Sequence, residues 1–208
     1  MSDDLFSAEW LELREPVDHR SRAGDLLPLL QQVWESRGWT RILDLGSGTG
    51  SNLRYLAPQL SGTQHWTLVD HDPSLLARVE QKGVPESPRP GERREVRHIV
   101  GDLSEIGEKE TEEADLVTAS ALLDLVSEDW LSTWVQRISR HGCGALLVLS
   151  YDGSVEWIGP RDPEDSWVLE RVNRHQRREK GLGRALGPDA TERARSFFER
   201  SGYLTWIL

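Results

Sequence analysis

Residues 41–50 read RILDLGSGTG, with glycines at positions 46, 48 and 50 directly behind a short apolar run. A backbone without Cβ atoms turns sharply and lets another molecule lie against it. The apolar run reads as a strand and the residues after it as a helix. In a doubly wound sheet that first turn lies at the carboxyl ends of the strands, where ligands bind. Two ligand classes compete for it. A dinucleotide fingerprint is G-x-G-x-x-G and uses the helix N-terminus for pyrophosphate. Its third glycine would fall at residue 51, which is Ser51. The spacing present is G-x-G-x-G, with Asp44 inside the strand ahead of it. A carboxylate there suits an ammonium-bearing ligand and ill suits a pyrophosphate.

Outward from this turn the chain alternates. HWTLVD, VRHIVGD, ADLVTAS and ALLVLSY are further strand-type runs, while SLLARVEQKG and EDWLSTWVQRISRHG have helical texture. Strands separated by helices predict an α/β fold: a doubly wound, mostly parallel sheet with helices on both faces. Residues 7–38 read as helical, with Leu26, Leu27, Leu30 and Trp34 on one face and Gly38 as the stop. Pro16 is expected to divide a short first helix from a longer second one. VPESPRPGERR is a proline-rich surface loop before the third strand. Residues 153–187 are polar and charged with no strand pattern, and read as an insertion over the site. A final helix runs from Pro188 and Asp189 to a stop at Gly202, and YLTWIL is expected as a last strand. The expected organisation is one domain: a helical cap (1–38), a ligand-binding core (39–152), a basic lid (153–187), and a final helix and strand (188–208).

The totals agree with one globular domain. The chain has 208 residues, 37% hydrophobic and 29% charged. No apolar run approaches the ~20 residues of a membrane span. The N-terminal MSDDLFSAEW is acidic and lacks the basic and apolar regions of a secretory signal, so the expected location is cytoplasmic and no membrane partner is expected. One cysteine, Cys143, leaves no internal disulfide and no cysteine-rich zinc site. No histidine or carboxylate spacing suggests a metal. A formal net charge of −10 argues against nucleic acid as a general partner. Nine tryptophans are many, and some are expected to line a pocket.

Acids close the next strands as well. Asp70 ends the second one about 20 residues beyond the glycines, where a carboxylate can accept both hydroxyls of a ribose. Asp72, before Pro73, is the better helix cap. Asp102 ends the third strand and can accept from an adenine amino group, with Leu103 as an apolar wall.

ILDLGSGTG, TLVDHDP, VGDL, ADLVTASALL and ALLVLSYDG together resemble the successive motifs of class I S-adenosylmethionine-dependent methyltransferases, over residues 39–152. The resemblance implies S-adenosylmethionine as cofactor. It implies that Gly46, Ser47, Gly48 and Gly50 approach its methionine part, with Asp44 near the ammonium. Asp70 would bind the ribose, with His71 beside the adenine and Asp102 and Leu103 defining the adenine pocket. Ser120 and Leu122 would flank the sulfonium.

SALLDL stands where amino-methyltransferases of adenine or glutamine carry an Asn/Asp-Pro-Pro-Tyr/Phe signature, so those classes are disfavoured. Cys143 lies before the fifth strand, away from a nucleophile's place. Asp124, shortly after the fourth strand, stands where small-molecule members place a histidine near the transferred methyl. It is read as a base, as a group that orients an amine, or as a solvated or helix-capping acid. RVNRHQRREKGLGR, residues 171–184, is strongly basic. It is either a solvated face or a lid presenting Arg177 and Arg178 to an anionic acceptor, with His175 as a second candidate base. Trp10 and Tyr151 are candidate pocket walls. Arg14 can pair with the cofactor's carboxylate, or with Glu15 and Asp18 at the surface.

One departure stands out. Class I sheets usually end with an antiparallel seventh strand beside the fifth, and here the chain stops at Leu208 after YLTWIL. Either the sequence is cut short here, or YLTWIL takes the missing slot, or a second copy of the chain covers the apolar edge of the fifth strand. The expected function is methyl transfer to a small, anionic molecule. The rivals are an RNA- or protein-directed methyltransferase and a non-catalytic S-adenosylmethionine-binding protein.

Overall fold

The apolar runs form five strands, β1 (Arg41–Leu45), β2 (Gln64–Asp70), β3 (Arg94–Val100), β4 (Leu116–Ser120) and β5 (Gly144–Val148). The structure is a computed structural model that describes residues 6–87, 89–160 and 162–208. The first five residues of the expected cap, Pro88 of the proline-rich loop and Arg161 of the expected lid lie outside these. The sheet order is β3-β2-β1-β4-β5 and every pair is parallel. Order reverses between β1 and the β4 side, so the first turn opens onto the switch point.

Eight helices connect and cover the sheet among the described residues: α1 (Ala8–Arg20), α2 (Leu26–Arg37), α3 (Ser51–Leu56), α4 (Pro73–Lys82), α5 (Glu108–Glu112), α6 (Glu128–His141), α7 (Asp165–Gln176) and α8 (Ala190–Arg200). Period-two alternation sends neighbouring strand residues to opposite faces. Ile42 and Leu116 pack with Trp34, Leu53, Leu76 and Val79 under α2, α3 and α4. Leu43, Leu45, Val117 and Ala119 pack with α6 and α8 on the other face. Helix ends follow the local signals. Gly38 closes α2 at φ +62°, and Asp72 caps α4 by accepting from the Ser74 N–H at 2.8 Å, with Pro73 in the first turn.

Two expectations are corrected. Pro16 does not end the first helix; it lies inside α1, which runs on to Arg20. Its ring faces solvent, where water can satisfy the carbonyl left free four residues earlier. The helix is also held on both sides of the proline, by Arg14 on Asp18 and by Glu15 on Arg54. YLTWIL is not a strand. After Gly202, Tyr203 is pinned by its hydroxyl, which lies 3.1 Å from the Ile138 carbonyl and 2.8 Å from that of Cys143. The residues beyond it form no ladder, and Leu204, Trp206, Ile207 and Leu208 are exposed. Strand preference is largely a preference for a partner strand, and without one the segment stays irregular. Among the described residues β5 pairs only with β4. No helix is long and apolar enough to cross a membrane among those residues.

Candidate active site

The glycine turn forms because β1 must hand the chain to α3 within a few residues. Gly46 and Gly48 take φ +62° and +52°, in the left-handed region that side chains disfavour. A Cβ on Gly48 would stand 3.2 Å from Leu11 Cδ1 of α1, and one on Gly46 3.4 Å from Leu122 and 3.8 Å from Leu103. The loop is thus walled by α1 on one side and by the ends of β3 and β4 on the other. Ser47 is buried, and its N–H donates to the Val69 carbonyl at 2.9 Å.

Asp70, at the tip of β2, is buried and faces this loop. Its carboxylate accepts from the Gly48 N–H at 2.8 Å and the Asp72 N–H at 3.0 Å. Each oxygen keeps further acceptor capacity. His71 is mostly exposed, with Nδ1 3.4 Å from Asp70. At the end of β3, Asp102 closes its own turn by accepting from the Ser104 N–H and hydroxyl, each at 2.7 Å through Oδ1. Those bonds hold its carboxyl below the usual range. The Leu103 carbonyl accepts from the indoles of Trp130 at 3.2 Å and Trp134 at 3.4 Å. Two of the nine tryptophans therefore fix this wall from α6, while Trp10, Trp157, Trp167 and Trp206 are exposed.

Behind the loop lies a buried polar corner. Asn52 donates to Asp44 Oδ1 at 2.7 Å and to Thr118 Oγ1 at 3.0 Å. Its carbonyl accepts from Arg22 Nη1 at 2.7 Å, and Arg22 Nη2 donates to Ser120 Oγ at 3.1 Å. The guanidinium lies over the Tyr55 ring, 4.4 Å from its centroid. Three buried atoms here have no partner among the described residues: Asp44 Oδ2, Thr49 Oγ1 and Arg22 Nε. Burial pushes the Asp44 carboxyl from 3.8 up to about 7, against the Asn52 hydrogen bond and the Arg22 charge, which lower it. A raised acid loses stability as pH climbs from its unfolded towards its folded value. Wild-type stability is therefore expected to decline, relative to Asp44→Asn, between pH 3.8 and about 7 and then to level off. Urea titrations across that range check this; parallel profiles for the two proteins would refute it.

The expected lid lies beside the end of β4. The Ser127 N–H donates to the Leu182 carbonyl at 3.2 Å and the Leu186 N–H to the Val126 carbonyl at 2.8 Å. Asp124 is buried next to this junction, near the Tyr151 backbone. Burial raises its pKa, and the charges of Lys180 and Arg14 work the other way. The Tyr151 hydroxyl is tied to α7 through Asn173 at 2.7 Å. Ala121, between Ser120 and Leu122, holds φ +55°, which is rare outside glycine and clusters at functional sites.

The expected clamp is arranged differently. Arg177 is bidentate on Asp189 at 2.7 and 3.0 Å, tying α7 to the start of α8, because a carboxylate lies within its reach. Arg174 pairs with Glu170, and Arg171 stacks on Trp167. His175 and Arg178 are exposed. Arg14 is bidentate on Asp18 at 2.8 and 3.2 Å, the surface pairing among its two expected roles. Trp10 is exposed on α1. Arg22 and Asn52 do not stand out in the sequence, whereas Lys180 belongs to the basic run 171–184. Arg22 lies in a short turn between helices, and no motif marks it. Asn52 had a signal: it is a polar residue in the first turn of α3, eight positions after Asp44.

Residues 42–142 match the family model described as a methyltransferase domain. In fold, the chain is similar to magnesium protoporphyrin IX methyltransferase (ChlM) from Synechocystis PCC 6803 with bound S-adenosylhomocysteine. That likeness has 15% identity and a TM-score of 0.51, over 97% of this chain and 80% of the other. It is also similar to an O-methyltransferase family protein from Burkholderia thailandensis, at 12% identity and a TM-score of 0.52, over 95% of this chain and 55% of the other. A third likeness is to the S-adenosylmethionine-dependent methyltransferase SibL, at 16% identity and a TM-score of 0.52, over 93% and 49%. The chain spans 57% of the length of a methyltransferase from Clostridium acetobutylicum ATCC 824 and 58% of that of DesVI from Streptomyces venezuelae, which it also matches. No curated protein sequence matches it. The matched domain spans just under half of the chain, and with the sheet order it makes the chain similar to the class I S-adenosylmethionine-dependent methyltransferase superfamily.

S-adenosylmethionine is the cofactor of that superfamily, and the residues present fit it. The glycine loop leaves a cradle that side chains would fill. Asp70 offers a buried carboxylate at the β2 tip, and the corner behind the loop holds an unpartnered carboxylate oxygen and an unpartnered guanidinium N–H.

Proposed function

We propose that this chain transfers a methyl group from S-adenosylmethionine to a small, anionic molecule. Support comes above all from Asp124, a buried carboxyl shortly after β4 that feels the charges of Lys180 in the lid and of Arg14 in α1. An acceptor seated there would be flanked by α1 and the 150–187 segment, a setting suited to a small molecule. Its anionic group would be met by Lys180 of the lid, in place of the Arg177 and Arg178 pair.

When bound, the cofactor supplies an electrophilic methyl on a sulfonium. The chain's own part is mostly to hold both partners in line. Asp70, Asp44 and the glycine loop would orient the cofactor, with Ser47 holding the loop to β2. His71, Asp102 and Leu103 would surround the adenine, and Ser120 and Leu122 would border the sulfur. Asp124 would receive the proton of the acceptor's hydroxyl or amine on its carboxylate, a role that its raised proton affinity favours.

Asp124→Asn is expected to lower kcat by about 100-fold or more, the usual worth of a positioned base, and to leave S-adenosylhomocysteine affinity within about twofold. Formation of S-adenosylhomocysteine with a fractionated metabolite pool, against RNA and protein pools, reads both the activity and the acceptor class. Turnover with RNA or protein alone would overturn the small-molecule reading. Cofactor binding without turnover on any pool would favour a non-catalytic binding protein.

A further inference from the structure

Helix α1 has two unlike faces. One is pinned to the body. Leu11 stands over the glycine loop, 3.2 Å from where a Cβ on Gly48 would be. Glu15 accepts from Arg54 at 2.6 and 2.7 Å and from Lys82 at 3.1 Å. His19 Nε2 lies 3.1 Å from the Ser51 carbonyl. The other face carries apolar side chains into solvent. Trp10 is 51% exposed, Leu13 72% and Val17 52%, and Phe6, just ahead of the Ser7 cap, is 47% exposed. From Phe6 to Val17 the spacing runs four, three, four, the alternation of a and d positions in a heptad. With Trp10 and Val17 at a, Phe6 and Leu13 fall at d. Leu11, His19 and Glu15 then fall at b, c and f, on the side that meets the body. No residue of α1 is fully buried, so the chain's own core does not use this stripe.

Opposite charges flank it, with Glu9 at g and Arg14 at e. Glu9 is mostly exposed, and Arg78 comes no nearer than 3.9 Å. Arg14 bonds Asp18 through Nε and Nη2, which leaves Nη1 for another acceptor. In a parallel pair of helices a g residue meets the partner's e residue five positions further on. That sets Glu9 against the partner's Arg14, twice by two-fold symmetry. An antiparallel pair sets e against e and g against g, and matches neither charge with an opposite one.

We propose that α1 is a self-association surface, through which two copies of this chain pair as a short, parallel, two-fold coiled coil. Phe6, Trp10, Leu13 and Val17 form its seam, and Glu9 and Arg14 fix its direction. The seam is two heptads long, so the dimer is weak and concentration-dependent, at the low end of specific interfaces. The net charge of −10 on each copy opposes it at long range. The pairing leaves Leu11 on the glycine loop, does not use the β5 edge, and stands independently of the methyl-transfer reading.

Sedimentation velocity from low to high micromolar protein tests this, at physiological salt, where the Debye length is about 8 Å. The wild-type chain is expected to dimerise, and Leu13→Glu to weaken the dimer about tenfold or more with no loss of melting temperature in dilute solution. Glu9→Lys and Arg14→Glu each set like charges across the seam. Mixed together, these two variants restore both pairs, and their heterodimer is expected to be about tenfold tighter than either homodimer. A general loss of helix stability cannot produce that rescue. A wild-type monomer at every concentration would refute the proposal. A dimer that survives Leu13→Glu but is lost in Trp206→Glu would overturn it in favour of the β5 edge. A dimer that depends on Leu13 but shows no heterodimer preference would overturn the parallel pairing.

Discussion

Asp70→Ala is expected to reduce S-adenosylhomocysteine affinity by about 100-fold or more. The carboxylate has two tasks. It would accept from the ribose hydroxyls through charge-assisted hydrogen bonds, each worth roughly 1.5–3 kcal/mol. It also holds the loop itself, through the Gly48 N–H at 2.8 Å and the Asp72 N–H at 3.0 Å. Alanine removes both, so the glycine turn loses an anchor just where the ligand approaches. Calorimetry measures the affinity, and thermal unfolding separates the two contributions. A small change in melting temperature with a large loss of affinity locates the effect in the ligand. Unchanged affinity would mean that the nucleoside lies elsewhere.

Asn52→Leu is expected to cost about 3–5 kcal/mol of stability, the scale seen when a buried charge loses its compensation. Asn52 is buried and joins four side chains, Asp44, Thr118, Arg22 and, through Arg22, Ser120. Leucine has similar volume but neither donor nor acceptor. It would leave the buried Asp44 without its one hydrogen bond and Arg22 without its nearest acceptor. Chemical denaturation at neutral pH gives the value. The loss should shrink in acid, because a protonated Asp44 is cheaper to bury than an ionised one. A loss below about 1 kcal/mol, the scale of a single neutral hydrogen bond, would mean that water or rearrangement replaces the network.

The turn after β1 and the acids in and after the first three strands were legible before the fold. Gly46, Gly48 and Gly50 declare a turn that side chains disfavour, while Asp44 lies inside β1, Asp70 ends β2 and Asp102 follows β3. These signals are local: alternation marks the strand, and the acid stands in it or near its end. The acceptor half was much less legible. Asp124 was visible as an acid shortly after β4, but its burial near the Tyr151 backbone depends on how the chain returns after β5. The lid's charges, read along the chain, suggested a clamp; in space Arg177 finds Asp189, twelve residues on, and becomes a strut.

The sequence by itself determined the strand–helix alternation, the glycine turn, the cap of Asp72 and Pro73, and the stop at Gly38. Each depends on backbone conformation or spacing within a few residues, which the chain carries wherever it goes. Only the tertiary structure decided that α1 runs through Pro16, because the cost of a missing hydrogen bond depends on whether its carbonyl faces water. It alone decided that YLTWIL is no strand, because a strand needs a partner, and Tyr203 anchors the chain by its hydroxyl without forming a ladder. And it alone brought Arg22 to Ser120, 98 residues away, and to Asn52, 30 residues away. Hydrogen bonds between distant side chains follow from packing, and no local pattern in the sequence records them.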